Sequence, residues 1–321
     1  MKPKSNRNRP VGSVAPDVVG DRQVQAPAMK AAPAPRRPGT EREPLYEIGP
    51  LRLRLCRHGP MVYLTTDRYV GRSLDLYGEF AGAEVDLLSS LVGPGSWVLD
   101  VGANVGSHAI PLAHAVGEHG RVLAFEPQPL LFQFLCANAA LCGARAVRPR
   151  RLAVGAVEGR LTAPPIDPDE EDNHAGHPLR AGGPGEEVRV IPLDSLVLDL
   201  CDLIKVDVEG MEADVLTGAE ATIRRLRPVL YVENDREDRS AALIRQLWSL
   251  GYRLWWHLAP LYRPDNFAAN AENVFGGVVS GNLLCLPAER HTEPVGLPAV
   301  VEQGETWRTA VTRAFFPRAA S

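Results

Sequence analysis

The sequence predicts an α/β protein with a doubly wound, mostly parallel sheet, preceded by an N-terminal β-hairpin and helix. Short apolar runs alternate with helix-length segments from Trp97 to Leu286, the rhythm of strands joined by crossover helices. One apolar run, Val98-Leu99-Asp100-Val101, passes through Gly102-Ala103-Asn104-Val105-Gly106 straight into a helical segment. Apolar residues make up 45% and charged residues 23% of the 321 residues, enough to bury a sizeable core.

The elements follow in order. Residues 1–44 carry Lys2, Lys4, Arg7, Arg9, Arg22, Lys30, Arg36, Arg37 and Arg42 among many prolines and alanines. Such a segment buries too little surface to offset chain entropy, and a disordered basic tail is expected. A single folded α/β domain is then expected over 45–290, with a C-terminal extension over 291–321. Within it, Leu45 to Thr66 alternates as a hairpin turning at His58-Gly59-Pro60, and Glu79 to Val92 reads as an amphipathic helix. Strands are expected at Trp97–Val101, Arg121–Phe125, Val147–Val154, Leu203–Val208, Val229–Glu233, Arg253–Trp256 and Asn282–Leu286. Helices fall between them at Ser107–Val116, Leu130–Leu141, Glu212–Leu226 and Arg239–Leu250. Pro164 to Glu187 and Leu258 to Gly277 break the rhythm as long excursions, of the kind that serve as lids or binding loops.

Composition excludes several classes. The net charge of −4 gives no reason to expect a nucleic-acid partner. Cys56, Cys136, Cys142, Cys201 and Cys285 are odd in number and lack CxxC spacing, which suits reduced thiols better than disulfides or structural zinc. The basic N-terminus lacks a signal peptide's apolar core, and no apolar run is long enough for a bilayer. A cytoplasmic protein is the resulting expectation; oligomeric state is not legible.

The Gly turn at 102–106 is a cofactor candidate, because ligands of doubly wound sheets bind at the carboxyl ends of the strands. Dinucleotide sites use GxGxxG and a helix N-terminus facing a pyrophosphate. Here Asp100-x-Gly102-x-Asn104-x-Gly106 misses that spacing and sets a carboxylate at the strand end. A carboxylate repels phosphate but suits a ligand carrying ammonium and sulfonium charges. One strand later, Glu126 follows Phe125 and is placed to accept both hydroxyl protons of a ribose. Together Asp100, Gly102, Asn104, Gly106 and Glu126 favour S-adenosylmethionine over a nicotinamide cofactor. His108, just inside the next helix, reads as a packed or capping side chain.

These segments resemble the FkbM-type methyltransferase family. The resemblance rests on Tyr77-Gly78-Glu79, Leu99 to Gly106, Ala124-Phe125-Glu126-Pro127 and, most specifically, Ile204-Lys205-Val206-Asp207-Val208-Glu209-Gly210-Met211-Glu212. It covers about Tyr63 to Pro287. It implies a Rossmann-like sheet of the class I methyltransferase type, S-adenosylmethionine as donor, and an oxygen of a small molecule or glycan as acceptor. Asn173-His174-Ala175-Gly176 resembles the family's N-F-G loop without its aromatic, and places Asn173 among the acceptor contacts.

Reaction residues are read from the later strand ends. Lys205, Asp207 and Glu209 share one face by the period of two, and charges at the end of a central parallel strand are costly unless used. Asp207 and Glu209 are therefore catalytic candidates, with Lys205 as ion-pair partner and Glu212 as helix cap. Glu233 and Asn234, at the next strand end, would converge on Asp207. Their oxygens could ligate a divalent cation, but hydrogen bonds to acceptor hydroxyls are the favoured reading and no metal is assigned. His257 is a candidate general base by its near-neutral titration, weighed against a structural hydrogen-bonded role. Tyr262, beside Asn266, Asn270 and Asn273, suits a polyhydroxylated acceptor. Two other classes compete: a nicotinamide-dependent oxidoreductase, which lacks its GxGxxG here, and a non-catalytic binding module, against which the retained acidic residues argue.

Overall fold

The computed structural model describes residues 43–315; nearly all of the expected basic tail, and residues 316–321, lie outside them. The chain opens with an antiparallel meander, β1 (Tyr46–Ile48), β2 (Leu51–Cys56) and β3 (Gly59–Leu64). The expected hairpin is thus β2–β3, and its tight turn falls at Arg57-His58, one step earlier than expected, because Gly59 and Pro60 already pair with Cys56 and Leu55. Two helices follow, α1 (Val70–Tyr77) and α2 (Gly82–Ser90). The first was not expected, and the second is shorter than the 79–92 segment.

The main sheet then builds outward: β4 (Trp97–Val101), α3 (Ala109–Val116), β5 (Arg121–Phe125), α4 (Pro129–Leu141), β6 (Val147–Arg150). Pro129 sits in the first turn of α4, where its missing N–H costs nothing. The expected strand 147–154 splits in two. Its second part, β7 (Ala153–Val154), leaves the main sheet and joins β8 (Gly159–Ala163) and β9 (Glu186–Ile191) in a small sheet ordered β7-β9-β8. The excursion at 164–187 therefore runs between β8 and β9, with a single 3₁₀ turn at His174–Gly176.

The chain returns through β10 (Leu203–Val206), then α5 (Glu212–Thr217), α6 (Glu220–Leu226), β11 (Val229–Glu233), α7 (Glu237–Ser249), β12 (Tyr252–Pro260) and β13 (Val279–Pro287), ending in α8 (Trp307–Phe315). The expected helix 212–226 is broken at Gly218-Ala219, where the Gly218 Cα packs so closely on the Gly155 backbone that a Cβ would lie 2.1 Å from its oxygen. Strand order in the main sheet is β12-β13-β11-β10-β4-β5-β6. From β11 to β6 all neighbours are parallel, while β13 slots between β11 and β12 and runs antiparallel to both. The C-terminal stretch packs on this edge: Trp256 N–H donates to Pro298 O and Val300 N–H to Leu254 O.

The connections leave β4 in opposite senses, to β5 on one side and later to β10 on the other. The topological switch point of the sheet thus lies between the carboxyl ends of β4 and β10, where crevices form in such folds. Two apolar cores flank the sheet. Val98, Leu203 and Val229 pack with α2, α3 and α4, and Leu99, Ile204 and Leu230 pack with α5, α6 and α7. Among the described residues no helix is long and apolar enough to cross a membrane.

Candidate active site

At the switch point a cleft opens above the strand ends, where ligands of doubly wound sheets bind. Towards β5 it is bordered by Glu126, Pro127, Gln128, Ala153 and Val154, and towards β10 by Asp207, Val208 and Glu209. Phe80, Ser107 and His108 close it from the helical side, and Ala175, His177 and Leu179 from the excursion.

The Gly turn is forced by packing. Gly102 has φ +84° and a Cβ there would lie 1.8 Å from the Asp207 carbonyl oxygen, so the loops leaving β4 and β10 touch only because no side chain intervenes. Asn104 adopts the left-handed region at φ +50° and bonds its own turn, Oδ1 accepting from Val105 N–H at 2.7 Å. Its own N–H donates to Glu126 Oε2 at 2.8 Å, and Gln128 N–H donates to Glu126 Oε1 at 2.8 Å. Glu126 is therefore fixed with its carboxylate at the cleft wall. Burial pushes its carboxyl up to about 7, against the pull of those two amides.

Asp100 departs from the expected bare carboxylate. It is fully buried, does not line the cleft, and lies 3.4 Å from Lys205 Nζ. The register explains this: Asp100 and Lys205 are directly opposed on parallel neighbours β4 and β10. Lys205 Nζ also contacts Asp207 Oδ2 at 3.1 Å and donates to Gly102 O at 2.9 Å. Burial alone would lower the lysine's pKa, but Asp207 and Asp100 outweigh it and raise it. The ammonium thus bridges the two loops and leaves Asp207 at the cleft floor.

Glu209 does not continue the alternation from Lys205 and Asp207, because β10 ends at Val206 and Glu209 is left-handed at φ +57°. It still borders the cleft, and Arg236 Nη2 donates to its Oε2 at 2.9 Å. Burial, then repulsion from Asp207, pushes its carboxyl up to about 7.

The other expected residues are not brought to this cleft. Glu233 and Asn234 border a separate hollow with Arg236 and Arg239. Asn234 is buried and donates from Nδ2 to Ser240 Oγ at 2.9 Å, which takes it away from Asp207. Burial, reinforced by Asp207, raises the Glu233 carboxyl well above the ordinary range. Asn173 caps its 3₁₀ turn by accepting from Gly176 N–H at 3.2 Å. The Tyr262 hydroxyl donates to Ala271 O at 3.1 Å, and its ring packs on Tyr77. His257 Nδ1 lies 2.7 Å from the Tyr231 hydroxyl instead of facing the cleft. No cluster of three or more His, Cys, Asp or Glu side chains arranged to hold a metal occurs among the described residues.

Sequence reasoning read His108 as a packed or capping side chain and passed over His177, and both border the cleft. His177 borders the cleft with Nε2 2.7 Å from Asp172 Oδ2, and His108 borders it with Nε2 3.4 Å from Glu84 Oε2. The signal for His108 was its place directly after the Gly102–Gly106 turn. Nothing local marked His177.

The sheet order and the switch-point cleft are those of a Rossmann-like fold of the class I methyltransferase type. Residues 100–254 match the model of the methyltransferase FkbM domain. No curated protein matches the chain. Solved structures with similar folds include methyltransferase FkbM from Methylobacillus flagellatus KT, at 17% identity over 68% of this chain and 55% of that one, TM-score 0.42. Others are an S-adenosylmethionine-dependent O-methyltransferase from Thermotoga maritima, at 16% identity over 66% of this chain and 67% of that one, TM-score 0.40, and fibrillarin from Aeropyrum pernix with natively bound S-adenosyl-L-methionine, at 11% identity over 74% and 94%, TM-score 0.39. The chain thus spans little more than half of the length of the Methylobacillus protein.

Proposed function

We propose that the protein transfers a methyl group from S-adenosylmethionine to a hydroxyl of a small molecule or glycan. The observation that carries this reading is Glu126: a buried carboxylate fixed by two backbone amides at the cleft wall, one strand from the Gly102 turn. Such a group accepts two vicinal ribose hydroxyls and repels a 2′-phosphate. Ala153, Val154 and Leu179 offer an apolar slot for a purine beyond it. The donor set fits the cofactor.

The bound donor supplies a methyl on a sulfonium, open to in-line attack. The chain's residues do the rest. Lys205 holds Asp207 at the cleft floor and neutralises Asp100 beneath it. Asp207 then faces the donor's positive charge and orients the acceptor. Glu209, with a carboxyl at about 7, is protonated about half the time near neutrality and can donate to or accept from an acceptor hydroxyl. Phe80 and the excursion at Ala175–Leu179 cover the cleft and exclude water.

The test has two steps. Calorimetry with S-adenosylhomocysteine should show one site per chain, and labelled S-adenosylmethionine incubated with cell extracts should label a product through an alkali-stable ether. Asp207→Asn should keep the cofactor and lose transfer. Absence of binding, or full transfer by Asp207→Asn, contradicts the reading.

A further inference from the structure

The excursion between β8 and β9 is irregular, yet one point of it is pinned from both sides. Asp172 N–H donates to Thr66 O at 3.1 Å and Arg68 N–H donates to Asp172 O at 2.9 Å, a parallel bridge just beyond β3. The Asp172 side chain is held as well. Its Oδ1 accepts from Asn173 N–H at 2.7 Å, and its Oδ2 lies 2.7 Å from His177 Nε2. The His177 hydrogen bond, then that amide, hold the Asp172 carboxyl below its ordinary range, so it is ionised at neutral pH and can only accept. His177 Nε2 is therefore the donor, and the neutral ring carries its free lone pair on Nδ1.

That Nδ1 is buried and has no hydrogen-bond partner, in a ring that borders the cleft. A buried polar atom without a partner is costly, and a hydroxyl seated in the cleft would supply the missing hydrogen. His174, three residues earlier, turns inward instead. It is 1% exposed, its Nε2 lies 3.3 Å from Thr66 Oγ1, and Asp67, Asp172 and Asp167 are the carboxylates that bear on it. Of the two histidines only His177 borders the cleft. An imidazole with one nitrogen fixed by a carboxylate and the other free is the arrangement of a general base. The reaction needs one, because methylation of a hydroxyl releases a proton.

We propose that His177 is the general base of the transfer and that Asp172 positions it. This rests on the methyltransferase reading. The acceptor oxygen forms its bond to the methyl carbon as the carbon–sulfur bond breaks, and that electron pair stays on sulfur. The hydroxyl proton passes to His177 Nδ1. Positive charge thus moves from sulfur to the imidazole, where the Asp172 carboxylate faces it across 2.7 Å. The imidazolium gives its proton to water when the cleft empties, since the His177 side chain is 30% exposed. His177 is the catalytic residue of the pair, and Asp172 is a positioning residue.

The experiment uses the full chain and the extract fraction that the wild type labels. His177→Gln should lower the transfer rate at saturating donor about a hundredfold or more, while its affinity for S-adenosylhomocysteine changes less than about twofold. Undiminished transfer would leave the proton to Glu209 and overturn the assignment. A loss confined to low donor concentration, with weakened S-adenosylhomocysteine binding, would make His177 a cofactor contact and overturn it too. Asp172→Asn keeps the shape of the pair, but its amide can donate to Nε2 and drive the ring proton to Nδ1, so its rate should fall about as far. A second readout needs no acceptor. Nitrogen-15 spectra of the neutral imidazoles should show the wild-type His177 proton on Nε2, and in Asp172→Asn a balance moved towards Nδ1. A wild-type proton resident on Nδ1, or an unmoved balance in Asp172→Asn, overturns the proposal. Failure of the wild type to bind S-adenosylhomocysteine sinks the methyltransferase reading separately.

Discussion

The two faces of the same three central strands differ sharply. Under α5, α6 and α7 the strands β4, β10 and β11 present Leu99, Val101, Ile204, Val206, Leu230 and Val232, and nothing polar interrupts them. On the opposite face they present Asp100, Lys205 and Tyr231 in one row. The first face stabilises the fold by about 1.5–3 kcal/mol for each buried aliphatic side chain. The polar row on the second face adds little to the apolar core around it, since desolvation offsets most of the attraction within the row. One face of the sheet is therefore apolar throughout, and the other sets a charged row within its core.

Breaking each face in turn should show the difference. Lys205→Met strands Asp100 and should cost about 3–5 kcal/mol in denaturant unfolding, while the double change Asp100→Leu with Lys205→Met should recover most of it. A single cost under about 1 kcal/mol would mean the row is not electrostatically closed. On the other face, Ile204→Ala should cost about 2–5 kcal/mol of stability by leaving a cavity, with the affinity for S-adenosylhomocysteine unchanged. Glu126→Gln should spare the fold and weaken that affinity by about 1.5–3 kcal/mol, because a charged acceptor is lost to the ribose. The smallest effect is in pH. With the Glu126 carboxyl at about 7, affinity should rise about tenfold from pH 6 to pH 8 in the wild type, and stay flat in Glu126→Gln. The unliganded fold shows the opposite sign. Its raised carboxyl makes destabilisation build as pH climbs from 4.5 to about 7, then level off.

The strand–turn–helix at Val98 to Gly106, the second strand ending at Glu126 and the strand leading to Asp207 were legible because each is local: an apolar run, a glycine, a charge. Other features depend on partners far along the chain. Asp100 reads as a free carboxylate until the register sets Lys205 beside it. Asn234 reads as an acceptor ligand until α7 brings Ser240 to its amide. Tyr262 reads as a sugar contact until Ala271 takes its hydroxyl. Helix α1, Val70–Tyr77, has only a narrow apolar stripe. The placement of β13 between β11 and β12 is likewise a pairing choice that no local pattern encodes.

The most direct measurement is a crystal structure with S-adenosylhomocysteine. Both ribose hydroxyls should lie within hydrogen-bonding distance of the Glu126 carboxylate, with the sulfur directed over Asp207. A nucleoside seated away from Glu126, or a phosphate-bearing ligand preferred in its stead, would contradict the account.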